Sequence, residues 1–158
     1  MDKAAQLRAE AFDAAEALIK TLALPEGTAL AATGSFARRE MTKYSDLDLL
    51  LIHPEGMVLD EQAVANIWYP IWQAGYHLDY ALRTPGECAE IAGTDPAAGF
   101  AQLDLSFVAG SKALVDEARA KLLSQWRVLL QKHFDSFVST AIARWRRSGT
   151  LATMANPD

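Results

Sequence analysis

The chain has 158 residues, 51% of them hydrophobic, with one cysteine and a formal net charge of −5. That length supports one domain with a substantial core. The composition excludes a disordered chain, and the negative charge opposes polynucleotides and anionic lipid. A lone Cys88 excludes an internal disulfide or a multi-cysteine zinc cluster and reads as a small helix-face residue.

Charges interleaved through Asp2-Lys3-Ala4-Ala5-Gln6-Leu7-Arg8 do not make a signal peptide, and no apolar run approaches the ~20 residues of a membrane span. The expected location is cytoplasmic, with no membrane and no polynucleotide partner. Residues 3 to 23 carry Leu7, Ala11, Ala14, Ala15 and Leu18 at helical spacing, and Pro25-Glu26-Gly27 ends that helix. Thr28 to Thr33 predicts a buried strand ended by Gly34-Ser35, and Phe36 to Met41 a short helix leaving the turn. Asp46 to Ile52 predicts a second strand, polar where it starts and wholly apolar where it ends.

Residues 59 to 74 predict a helix whose stripe includes Trp68 and Trp72 and which Pro70 is expected to kink. Tyr76 to Arg83 alternates as a third strand, with His77, Asp79, Ala81 and Arg83 on one face. Pro85 predicts a helix to about Ile91 and Pro96 another to about Leu103. Phe107 to Gly110 is a short apolar stretch before a long helix from about Lys112 to Arg147, whose stripe includes Trp126. The expected fold is α/β, a small mixed sheet flanked by helices with a long C-terminal helix. One domain spans residues 1 to 158.

Three features fall in one order: Gly34-Ser35 after the first strand, Asp46 and Asp48 opening the second, and Asp79 in the third. Asp46 and Asp48, two apart on a strand, share a face and repel each other unless a cation lies between them. Oxygen ligands suit magnesium, with manganese as an alternative. With Asp79 as a third ligand they suit a two-metal site. Gly34 admits a phosphate to the backbone, and Ser35 and the start of the following helix offer donors. Arg38, Arg39 and Lys43 are near enough in sequence to neutralise a triphosphate. His53, His77 and His133 are not spaced as a metal site. Arg83 is expected to pair with a carboxylate on its own strand face, with a phosphate contact as the alternative, and Arg144-Trp145-Arg146-Arg147 to close a helix, with a docking surface for the protein substrate or a missing domain as the alternative.

Gly34-Ser35-Phe36-Ala37-Arg38-Arg39-Glu40 followed by Tyr44-Ser45-Asp46-Leu47-Asp48-Leu49-Leu50 resembles the polymerase-β-like nucleotidyltransferase superfamily. Trp68 to Trp72, Leu78 to Thr84 and Leu103 to Gly110 narrow that resemblance. They are similar to the N-terminal domain of the uridylyltransferase/uridylyl-removing enzymes that modify PII nitrogen-signalling proteins. The resemblance implies transfer of UMP or AMP from UTP or ATP to a tyrosine hydroxyl of a PII-type protein, releasing pyrophosphate. It implies Asp46 and Asp48 as metal ligands, Gly34 and Ser35 on the triphosphate, and Arg38 in support. Arg39 stands where relatives often carry glycine. Asp79 suits the third carboxylate, with Asp104 as the alternative. The family's proteins run on into further domains, so this chain is expected to be a fragment of a longer one. A stand-alone enzyme with a small-molecule, RNA or toxin acceptor and a silent regulatory module are the competing readings.

Overall fold

The computed structural model describes residues 2–95, 99 and 101–155. Helix α1 (Lys3–Lys20) begins where the Asp2 carboxylate accepts from the Ala4 N–H, and it buries Phe12, Ala15 and Ile19. Strand β1 (Ala29–Thr33) passes directly into the single turn α2 (Gly34–Ala37), and a loop leads to β2 (Leu47–Ile52). Helix α3 (Glu61–Gln73) is capped by Asp60 and runs on through Pro70. Strand β3 (Leu78–Arg83) follows. Helix α4 (Pro85–Thr94) opens on a capping box formed by Thr84 and Glu87, with proline at its first position, where no N–H is missed. Strand β4 (Ser106–Gly110) and the long helix α5 (Lys112–Ala155) complete the chain.

The sheet order is β3-β2-β1-β4, with β1 antiparallel to both neighbours and β2 parallel to β3. The two central strands are buried almost throughout, which is why neither alternates in sequence. On one face Leu30, Ala32, Leu47, Leu49 and Leu51 pack against α1 and against Ile67, Trp68 and Ile71 of α3. On the other, Ala29, Ala31, Leu50 and Ile52 meet Cys88 of α4 and Leu114, Val115 and Ala118 of α5.

The expected mixed sheet, flanking helices and long final helix are all present. Several local readings change. Asp46 lies before β2, and Tyr76 and His77 lie before β3. The turn helix covers Gly34–Ala37, where Phe36 to Met41 was expected, because Arg39 takes a left-handed conformation (φ 57°) that ends it. Phe107 to Gly110 is a strand that pairs with β1. Its alternation was hidden because an edge strand of five residues leaves too short a pattern to read. Trp72 is exposed and meets Tyr80 edge-on at 5.9 Å, while Trp68 and Trp126 are buried as expected. The final helix passes Arg147 and continues to Ala155. Pro96, from which a helix was expected, lies outside the described residues, as do Asn156 to Asp158 and the side chain of His133.

Candidate active site

Helices α4 and α5 cover only part of the second sheet face. Where β1 and β2 carry Thr33 and Asp48 the face is open, and a cleft of about 310 Å³ lies there. Its position follows from register. Thr33 pairs with Asp48 across the antiparallel β1–β2 ladder, and Asp48 pairs with Asp79 across the parallel β2–β3 ladder. Adjacent strands are about 4.8 Å apart, so the two carboxylates stand side by side on one face. The Leu47 N–H donates to the His77 carbonyl at 2.8 Å, fixing that register at its first residue.

Gly34 turns the chain out of β1 with φ 64°, a conformation that favours glycine. A Cβ at Gly34 would collide with the Asp48 carboxylate, so the backbone turn and the carboxylate are in close contact. The return loop is held by buried Met41 and by a tight turn in which the Ser45 hydroxyl accepts from the Thr42 N–H at 2.8 Å. Asp46 follows that turn directly.

Burial holds the Asp48 carboxyl above the ordinary carboxylate range. The charges of Asp79 and then Asp46 push in the same direction, and Arg38 pulls the other way. Both neighbouring acids therefore act electrostatically on Asp48, although Asp46 stands one residue before the strand that carries Asp48. Asp46 is exposed and lies before the strand. Among the described residues, no three histidine, cysteine or acidic side chains are gathered tightly enough to hold an ion as they stand. The donor chemistry nonetheless fits a hard divalent cation, since the groups are carboxylate oxygens whose mutual repulsion a cation would relieve.

The cationic residues separate. Arg38 donates from Nε to Glu40 at 2.9 Å and from Nη1 to Asp104 at 2.8 Å, and those bonds raise its pKa further. Asp104, the alternative third acid, is thereby engaged with Arg38, whereas Asp79 lines the cleft. Arg39 lies 4.6 Å over the Phe12 ring, in a smaller cleft against α1 and β4. Its left-handed backbone is a conformation that glycine adopts most readily. Lys43 lies 4.7 Å over the Tyr44 ring, beside Leu7 and Arg8 of α1. Ser35 is half-buried, and its carbonyl accepts from the Glu40 N–H at 2.8 Å.

Among the described residues, the cation that lines the cleft with Asp48 and Asp79 is Arg83. Among the described residues it makes no ion pair with a carboxylate, where one on its own strand face was expected. In the orientation that satisfies both ends of the Gln102 amide, Arg83 Nη1 donates to its oxygen at 3.1 Å, and its nitrogen donates to the Cys88 carbonyl at 3.1 Å. Gln102 is 3% exposed. Sequence reasoning missed Thr33 and Gln102. Thr33 ends a run of small residues, and Gln102 sits in a short segment with no periodicity to place it, so neither carries a local signal. Cys88 is buried and its thiol is pushed up to about 11, chiefly by burial, which makes it a packing residue and not a nucleophile at neutral pH.

A family model described as a nucleotidyltransferase domain matches residues 16–98. The chain is 52% identical over its whole length to a bifunctional uridylyltransferase/uridylyl-removing enzyme of Corynebacterium glutamicum, covering 22% of that protein. It is 37% identical over 138 residues to the protein of the same name from Mycobacterium tuberculosis, covering 84% of this chain and 16% of that one. The chain thus spans about a fifth of the length of these relatives. A crystal structure of a mutant MntA–HpeT toxin–antitoxin superposes with a TM-score of 0.50 at 11% identity, covering 83% of this chain and 98% of that one. That likeness concerns the fold alone. Among the described residues, no helix is long and apolar enough to cross a membrane.

Proposed function

Because the chain belongs to the nucleotidyltransferase domain family, we propose that it transfers UMP from UTP to a tyrosine hydroxyl of a PII-type regulatory protein, releasing pyrophosphate. The relatives that match over most of this chain are named uridylyltransferases, which favours UTP over ATP. The observation that carries the reading is the junction at Gly34. A backbone turn free of any side chain faces Asp48, and Asp79 stands beside it on the next strand.

Asp46, Asp48 and Asp79 are the residues that would hold magnesium. A divalent cation bound there would supply positive charge to the α-phosphate and the departing pyrophosphate. Gly34 lets the triphosphate approach the backbone, and Ser35 stands next to it with a hydroxyl donor. Arg38, tied to Glu40 and Asp104, presents a fixed guanidinium at the approach to the carboxylates. The acceptor oxygen forms a bond to the α-phosphorus as the bond to the β-phosphate oxygen breaks. Asp79, exposed on the edge strand, would accept the hydroxyl proton.

Calorimetric titration of UTP and ATP, with and without magnesium, tests the reading against the Asp46→Asn/Asp48→Asn double variant. Magnesium-dependent binding that disappears in the variant is expected. Equal binding by both proteins would sink the assignment. Incubation with UTP and a PII-type protein then tests the acceptor, read as a mass increase of one UMP per modified tyrosine.

A further inference from the structure

The cleft has two chemically different ends. One is acidic, with Asp48 and Asp79 against Gly34; the other carries Arg83 and Gln102. Between them the floor is apolar, made by Leu50 and Ala81, which pair across the β2–β3 ladder. Asp79 and Arg83 lie on the same face of β3 four residues apart, about 13 Å at the rise of a strand.

Arg83 is a half-buried cation, and among the described residues it makes no salt bridge. Leaving a cation partly desolvated without a carboxylate is costly. Here a buried neutral amide, itself anchored on the Cys88 carbonyl, fixes one arm of the guanidinium and leaves its net charge intact. The remaining N–H groups are donors only. Facing an open cleft, they are available to an acceptor on a ligand.

Phosphates belong at the acidic end, where Asp48 and Asp79 would hold a divalent cation that offsets their charge. A flat apolar floor suits a planar base, and the donor fork beyond it suits a base edge that carries carbonyl oxygens. We propose that Arg83, positioned by Gln102, reads the carbonyl edge of the nucleotide base and selects a uracil over an adenine, whose amino group would present a donor to a donor. This inference rests on the nucleotidyl-transfer reading above.

The test is calorimetric titration of UTP, ATP and tripolyphosphate, all with magnesium, into the wild-type chain and the Arg83→Met, Arg83→Lys and Gln102→Leu variants. The wild type is expected to prefer UTP. Arg83→Met should weaken UTP about tenfold or more, the usual loss for a charged hydrogen bond, and leave tripolyphosphate and ATP within about twofold. Arg83→Lys should lose the preference as well, because an ammonium has no planar fork. It carries the test if melting shows that the methionine variant does not fold. Gln102→Leu should weaken UTP alone, and have no further effect when added to Arg83→Met, as expected of a residue acting through another.

Equal loss of tripolyphosphate would make Arg83 a phosphate ligand and overturn the proposal, as would an unchanged UTP-to-ATP ratio in the arginine variants. Wild-type protein that binds tripolyphosphate without preferring UTP overturns this inference alone. A folded wild type that binds neither nucleotide nor tripolyphosphate overturns the nucleotidyl-transfer reading with it.

Discussion

The two faces of the sheet are made by the same strands and have opposite fates. Under α1 and α3 the face is closed over the central strands, and Leu47, Leu49 and Leu51 of β2 are all buried there. The residues between them point the other way, and of those Leu50 and Ile52 are covered by α4 and α5 while Asp48 is left at an opening. A period of two along one strand thus separates stability from chemistry. One face holds the strand in place, and the other holds a carboxylate in an environment that stability alone would not favour.

The largest effect should come from the closed face. Leu51→Ala leaves a cavity beneath α1 and α3 and should lower the unfolding free energy by about 2–5 kcal/mol, read by urea denaturation. If it cost no more than a surface change, the division between the faces would be wrong.

Gly34→Ala joins the two roles. A left-handed backbone must then carry a Cβ that runs into Asp48, so a loss of about 1–3 kcal/mol is expected together with loss of magnesium-dependent UTP binding. Retained nucleotide binding in that variant would show that the junction at Gly34 is not where the triphosphate lies.

Asp48→Asn should separate the roles. It is expected to abolish magnesium-dependent binding while leaving stability unchanged or raising it by up to about 1 kcal/mol, since it removes a partly buried charge beside two others. The same cause fixes a pH dependence. Asp48 has a folded-state pKa above its unfolded value, so the folded protein holds the proton more tightly. In magnesium-free buffer its contribution to stability should grow as pH falls through the window just above the ordinary carboxylate value, and shrink as pH rises through it. Melting temperatures across that window, compared with Asp48→Asn, isolate the effect. A wild type and variant with parallel pH profiles would count against it.

The smallest effect is expected at Arg39. Replacing it with glycine removes the stacking on Phe12, worth about 0.5–1 kcal/mol, and relieves a left-handed backbone of a similar amount. Stability should change by less than about 1 kcal/mol, with UTP binding unaltered. A large fall in UTP binding would bring Arg39 back to the triphosphate and blur the contrast between the two sides of the sheet.

Most of the fold was legible because its elements announce themselves locally. The Leu49 to Ile52 run, the stripe through Ile67, Trp68 and Ile71, and Pro85 each report burial or a helix start within a few residues. Of the ordered residues Gly34-Ser35, Asp46, Asp48 and Asp79, the fold brings Gly34, Asp48 and Asp79 to one end of the cleft; a glycine turn and alternate strand positions have meaning without knowledge of the neighbours. Strand β4 was not legible, since its five residues form an edge whose partner, β1, lies over 70 positions away in the chain.

Tertiary structure alone decided how the charges pair. The sequence places Arg38, Arg39 and Lys43 together, yet the fold sends the first to Glu40 and Asp104, the second to Phe12 and the third to Tyr44. It also brings Arg83 to Gln102, nineteen positions on, although its own strand offered Asp79. The physical reason is range. Hydrophobic period and turn chemistry act over a few residues and are written in local order, whereas ion pairs and side-chain hydrogen bonds form between whatever groups the packed core brings within about 3 Å.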